Sequence, residues 1–104
     1  MDERRRASRV KVDLPARWEG VLTQQQGQIT DLSINGCFVL SGGQVEPKEL
    51  VRLEIVLPNQ SPMYLWAEVV DAAYEIGFAV RFTATEDEDE KRLAEFIEAE
   101  LRRS

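Results

Sequence analysis

Two clusters in this chain carry side chains able to do chemistry. The first is Arg4-Arg5-Arg6-Ala7-Ser8-Arg9. A guanidinium chelates a phosphate through two parallel hydrogen bonds. It forks in the same way onto O6 and N7 of guanine, and its flat face stacks on a base. In an extended segment Arg5 and Arg9 project to one side, because i and i+4 share parity. At ~3.3 Å per residue they stand roughly 13 Å apart. That span suits a flat dinucleotide with two bases and two phosphates. The second cluster is Asp31-Leu32-Ser33-Ile34-Asn35-Gly36. A carboxylate at Asp31 matches the N1–H and N2–H₂ donor edge of guanine. The Ser33 hydroxyl can bond a phosphate or a base. Gly36 lets the backbone approach closely or adopt a positive φ. Taken singly, each cluster has a plainer meaning. An arginine run near a terminus is usually a solvated tail. Asp-x-Ser-x-x-Gly is commonly an Asx-type turn that only closes a hairpin.

Absences narrow the chemistry further. The sequence has no histidine and one cysteine, Cys37. His-dependent acid–base catalysis, His metal sites and thiolate clusters are therefore excluded. No Walker-type phosphate loop and no Gly-x-Gly-x-x-Gly are present. Carboxylates are plentiful, but most fall at a helix start or alternate outward on strands. No catalytic residue and no metal ligand is assigned, and the chain reads as a binding protein, not an enzyme.

The 104 residues suit one domain with a modest core. Apolar residues make up 43%, which argues against a disordered body. No apolar run approaches the roughly 18 residues of a membrane span. No secretory signal is visible, and one cysteine cannot form an internal disulfide; together these favour the cytoplasm. Net charge is −6, which opposes general nucleic-acid binding. Residues 1–17 nevertheless carry six basic side chains against three acids, or +3, leaving −9 for the remainder. A basic patch on an acidic protein suits a small anion better than a long polyanion.

The elements that must position these clusters follow from periodicity. Val10, Val12 and Leu14 alternate with Lys11 and Asp13, as in a strand. Pro15 suggests an edge or a bulge before the strand resumes over 16–22. Gln24-Gln25-Gln26-Gly27 reads as the hairpin turn. Strands follow at 28–32 and 37–40, on either side of the Ser33–Gly36 turn. Val51, Leu53, Ile55 and Leu57 share one face of the next strand. Residues 63–73 form a long strand, Tyr74-Glu75 turns it, and 76–82 returns. Six strands at hairpin spacing favour a closed antiparallel barrel. The last segment changes period: Leu93, Phe96, Ile97 and Leu101 share a helical face. Thr85 with Glu88 three residues on reads as a capping box. The early acids and Arg102-Arg103 suit the two ends of the helix dipole. Trp18 and Trp66 read as core or barrel-face aromatics, and Cys37 as a small buried apolar residue.

The two clusters together resemble the signature of the PilZ domain family. Its pattern is Arg-x-x-x-Arg, a spacer, then Asp/Asn-x-Ser-x-x-Gly. Arg5 and Arg9 match the first part, and Asp31, Ser33 and Gly36 the second. Cys37-Phe38-Val39 after the turn and the late Gly77-Phe78-Ala79-Val80-Arg81-Phe82 resemble the family as well. The resemblance implies a mainly β fold, a six-stranded antiparallel split barrel with a C-terminal α-helix. It implies one domain over 1–104: a basic arm at 1–9, the barrel at 10–83 and the helix at 85–103. It implies a receptor for cyclic di-GMP with no cofactor, whose arginine arm becomes ordered over the barrel and which signals through protein contacts. The expected ligand contacts are Arg4, Arg5, Arg6, Arg9, Asp31, Ser33 and Gly36. In the family an arginine just before the first motif goes with an intercalated pair of ligands. Arg4 holds that position, so two molecules per chain are expected. The expected partner is an unidentified downstream protein, with no nucleic-acid polymer and no membrane span. The rival readings are a PilZ-like interaction module that binds no nucleotide, a small single-strand-binding barrel and an enzyme.

Overall fold

Six strands close into one antiparallel barrel, in the order β1-β2-β3-β6-β5-β4, with β4 returning to β1. In the computed structural model, which describes residues 8–73 and 75–103, the strands are β1 (Val10–Glu19), β2 (Gln24–Leu32), β3 (Gly36–Leu40), β4 (Leu50–Ile55), β5 (Met63–Ala73) and β6 (Gly77–Ala84). Helix α1 (Asp87–Arg103) follows. The mainly β architecture read from the sequence is therefore the one observed. Arg4, Arg5 and Arg6, most of the arm and the Tyr74 turn position lie outside the described residues.

Alternation builds the barrel. Val51, Leu53 and Ile55 of β4, Met63, Leu65, Ala67 and Val69 of β5, and Phe78 and Val80 of β6 all point inward and are buried. Closure leaves none of the six strands with an unpaired edge. Trp18 fills the end near the β1–β2 and β3–β4 connections. Its ring meets Phe78 edge-on at 5.0 Å and 76°, and its Nε1 donates to the buried Ser41 hydroxyl at 2.9 Å. Helix α1 packs at the opposite end, which also carries the β2–β3 turn. Leu93 and Ile97 join the core there, and Arg92 reaches Gln60 and Ser61 in the β4–β5 loop. Leu93→Ala is expected to cost about 3 kcal/mol in urea unfolding. Leu101→Ala is expected to cost far less, because Leu101 is 45% exposed.

Three local expectations are corrected. The Gln24–Gly27 segment is not the turn: Gln24, Gln25 and Gln26 pair with Glu19, Trp18 and Arg17. The chain reverses at residues 20–23, where Gly20 N donates to Thr23 O at 2.7 Å. Glutamine is tolerated in β2 because these side chains are exposed. Of the two readings of Pro15 the edge is the one corrected, since β1 runs on through it paired with both β2 and β4, while a bulge does fall just before it, between Lys11 and Leu14. The helix starts at Asp87 rather than after a Thr85 cap. The Glu86 carbonyl accepts the first helical bond, from Glu90 N at 2.9 Å.

Candidate functional site

Register alone would turn Asp31 into the core. Ile29 and Leu32 are both buried although three residues apart, which an unbroken strand cannot do. Between Ile29 and Asp31, β2 holds one residue more than β3 across the pair. Between Lys11 and Leu14, β1 holds one more than β2. These bulges re-aim the outer face. Asp31 is brought to the surface between Lys11 of β1 and Phe38 of β3.

The β2–β3 turn is held from within. Ser33 N donates to Gly36 O at 2.9 Å. The Ser33 hydroxyl accepts from Asn35 N at 3.1 Å and Gly36 N at 3.2 Å, and lies 3.3 Å from Gly36 O. Ser33 is 1% exposed. A hydroxyl offers one donor and two acceptor positions, and all three are used here. In this structure the Ser33 side chain therefore shapes the turn. Asn35 O accepts from Phe82 N at 2.8 Å, which ties the turn to β6.

Gly36 is required for close approach and not for a positive φ, since no described glycine has one. It pairs with Arg81, and a Cβ there would sit 2.0 Å from the Val80 carbonyl oxygen.

The two clusters meet. Arg9 Nη1 donates to Asp31 Oδ1 at 3.1 Å, across 22 residues of sequence. Both side chains remain accessible, at 53% and 30%. A half-exposed pair of this kind is worth about 0–1 kcal/mol. It therefore positions the guanidinium without locking it. Sequence reasoning did not single out Lys11 or Arg81 as part of the site. Lys11 stands opposite Asp31 and Arg81 opposite Gly36, both exposed. Arg81 is held by Glu68 of β5. The signal for Lys11 was its outward parity between Val10 and Val12. Beside the turn runs a groove of about 490 Å³ lined by Asn35, Arg81, Thr83 and Glu90 among others. Arg9, Lys11 and Arg81 thus share a shallow surface with Asp31, and Glu68 and Glu90 border it. It suits binding of an anionic, hydrogen-bonding ligand.

Cys37 lies directly beneath. Burial pushes its thiol well above the ordinary range; Arg9 opposes this and Asp31 adds to it. Folded Cys37 thus stays protonated where the unfolded thiol, near ~8.5, ionises. Stability then falls as pH rises past that value, by up to about 1.4 kcal/mol per pH unit. Urea midpoints across pH 8–10 should show this loss, and Cys37→Ala should remove the part due to the thiol.

With this geometry in view, the family model described as "PilZ domain" matches residues 3–99. The chain belongs to the PilZ domain family. No curated protein matches it in sequence. Among solved structures, Bacillus subtilis inhibitor of motility, MotI/DgrA, is 17% identical with a TM-score of 0.78, covering 92% of this chain and 51% of that one. The PilZ domain of Escherichia coli YcgR, solved with c-di-GMP, is 15% identical with a TM-score of 0.78, covering 96% and 93%. MrkH, a c-di-GMP-dependent transcription regulatory factor, is 15% identical with a TM-score of 0.80, covering 95% and 52%. This PilZ chain thus spans about half the length of two of these neighbours. Identities this low show the shared fold. Among the described residues no helix is long and apolar enough to cross a membrane.

Proposed function

We propose that this PilZ domain is a receptor for cyclic di-GMP that acts by binding, not by catalysis. The observation that carries this is the Arg9–Asp31 contact at 3.1 Å, which joins the two halves of the family's motif on one accessible surface. YcgR's PilZ domain was solved with this nucleotide and MrkH is described as dependent on it, which supports the same ligand here.

The roles follow from the chemistry. Arg9 spends one terminal nitrogen on Asp31 and keeps other donors for a phosphate oxygen. Asp31 takes the N1–H and N2–H₂ edge of a guanine. Arg5 and Arg6 bring further guanidiniums from the arm. Ser33 and Gly36 contribute through the shape of the turn. Arg4 adds the charge and the stacking face that a second, intercalated nucleotide needs, so two ligands bind per chain. Arm closure changes the barrel end that also holds α1, and a downstream protein reads that change. The ligand supplies the differential contacts that such a switch requires.

A thermal-shift panel tests the reading. Cyclic di-GMP at about 100 times its Kd adds roughly 2.7 kcal/mol. For a domain of this size that raises Tm by about 10–20 °C. Cyclic di-AMP and GTP should shift it far less. Equal shifts from all three would contradict selectivity for cyclic di-GMP, and no shift from cyclic di-GMP would favour an interaction module that binds no nucleotide.

A further inference from the structure

On the side of the barrel away from β2–β3 and β6, the outer face of β1, β4 and β5 carries two cross-strand rows. One row is Arg17, Glu54 and Tyr64; the next is Glu19, Arg52 and Trp66. Charge alternates along each row and between them, so the four charged residues form a checkerboard. Their sum is zero on a chain whose net charge is −6. Among the described residues none of the four makes an ion pair within the monomer. Tyr64 and Trp66 point outward at 50% and 49% exposure. Tyr64 is fixed in place: its hydroxyl donates to Glu54 Oε2 at 3.1 Å, and Arg52 lies 5.5 Å from its ring centre. Arg52 and Tyr64 line two adjoining grooves of about 320 and 380 Å³. Ridge and groove thus lie side by side.

We infer that this face pairs with a second copy of the chain about a two-fold axis. A two-fold contact brings one patch against itself, so the patch must be complementary to its own rotated image. An axis running across the strands meets that condition. It sets Arg17 on the partner's Glu19, Arg52 on the partner's Glu54, and Tyr64 on the partner's Trp66. An axis along the strands would also match the charges, but it would leave both rings facing the glutamines of β2. Aromatic and arginine side chains are those that anchor protein interfaces. The acidic remainder of the molecule repels a second copy, and this neutral patch does not. Edge pairing is closed to a barrel, so association must use a face. Four half-exposed rings bury roughly 400 Å² between them, which makes a small interface and a weak, concentration-dependent dimer. The face lies across the barrel from Asp31 and Gly36, and the pairing is independent of nucleotide binding.

Sedimentation equilibrium from roughly 1 µM to 1 mM tests it on the full chain. The wild type is expected to dimerise reversibly within that range. Arg52→Glu sets carboxylate against carboxylate twice and is expected to weaken the dimer at least about tenfold. Adding Glu54→Arg restores the opposition across the chosen axis and is expected to recover most of the loss. Trp66→Ala is expected to weaken the dimer as well, with an unchanged far-ultraviolet circular dichroism spectrum. A wild type that stays monomeric overturns the inference, as does a dimer indifferent to Arg52→Glu. A double variant no better than Arg52→Glu also overturns it.

Discussion

Arg9→Ala is expected to weaken cyclic di-GMP binding roughly 100-fold and to leave the melting temperature nearly unchanged. The size of the first effect comes from charge-assisted bonds, each worth about 1.5–3 kcal/mol when a guanidinium meets a phosphate. The removed side chain also leaves Asp31 without the cation that holds it at 3.1 Å. The second effect is small because the pair is exposed on both sides, and such pairs contribute about 0–1 kcal/mol. Titration calorimetry and a thermal melt on the same preparation separate the two. An equal loss of affinity and stability would make Arg9 a structural residue and would contradict the receptor account.

Gly36→Ala is expected to destabilise both the barrel and the site. The added methyl would lie 2.0 Å from the Val80 carbonyl oxygen and 3.2 Å from the Arg81 Cα. Both are backbone of the neighbouring strand, so no side chain can swing aside. β3 and β6 must separate where the barrel is closed. A cost of about 3 kcal/mol is expected, or a fall in Tm of roughly 10–20 °C. The damage spreads to the site, since Gly36 N and O both anchor Ser33. Gly42→Ala is the control, because nothing lies within 4 Å of its added carbon. Its stability is expected to change by less than about 0.5 kcal/mol. Equal melting curves for the two variants would mean that β3 and β6 tolerate separation.

What could be read from the sequence was what period and composition encode. The alternation of Val51, Leu53 and Ile55 fixes the face of β4 without reference to any other strand. The 63–73 strand and the Leu93/Ile97 face of the helix follow in the same way. The β1–β2 turn was misplaced because composition points the wrong way there. The polar Gln24-Gln25-Gln26 run is an exposed strand, and the apolar Val21 and Leu22 sit exposed in the connection. The bulges around Lys11 and Asp31 depend on which residues two strands place opposite each other, which neither strand states alone. Their trace in the sequence was the three-residue spacing of Ile29 and Leu32. The motif residues were legible as a group, and so was a turn there, but which of them faces solvent was not. Asp31 faces out, while Ser33 and Gly36 build the turn behind it. That division follows from buried amides needing partners and from the close approach of β6, both of which are tertiary facts.

Two molecules of cyclic di-GMP per chain are the proposed occupancy of the joined motif. Calorimetric titration of the wild type and of Arg4→Leu tests it most directly. Saturation is expected near two per chain for the wild type and near one for Arg4→Leu, with no comparable heat from GTP or cyclic di-AMP. Wild-type saturation near one would contradict the paired ligand. An absence of binding heat, together with an unshifted melting temperature, would contradict the receptor itself.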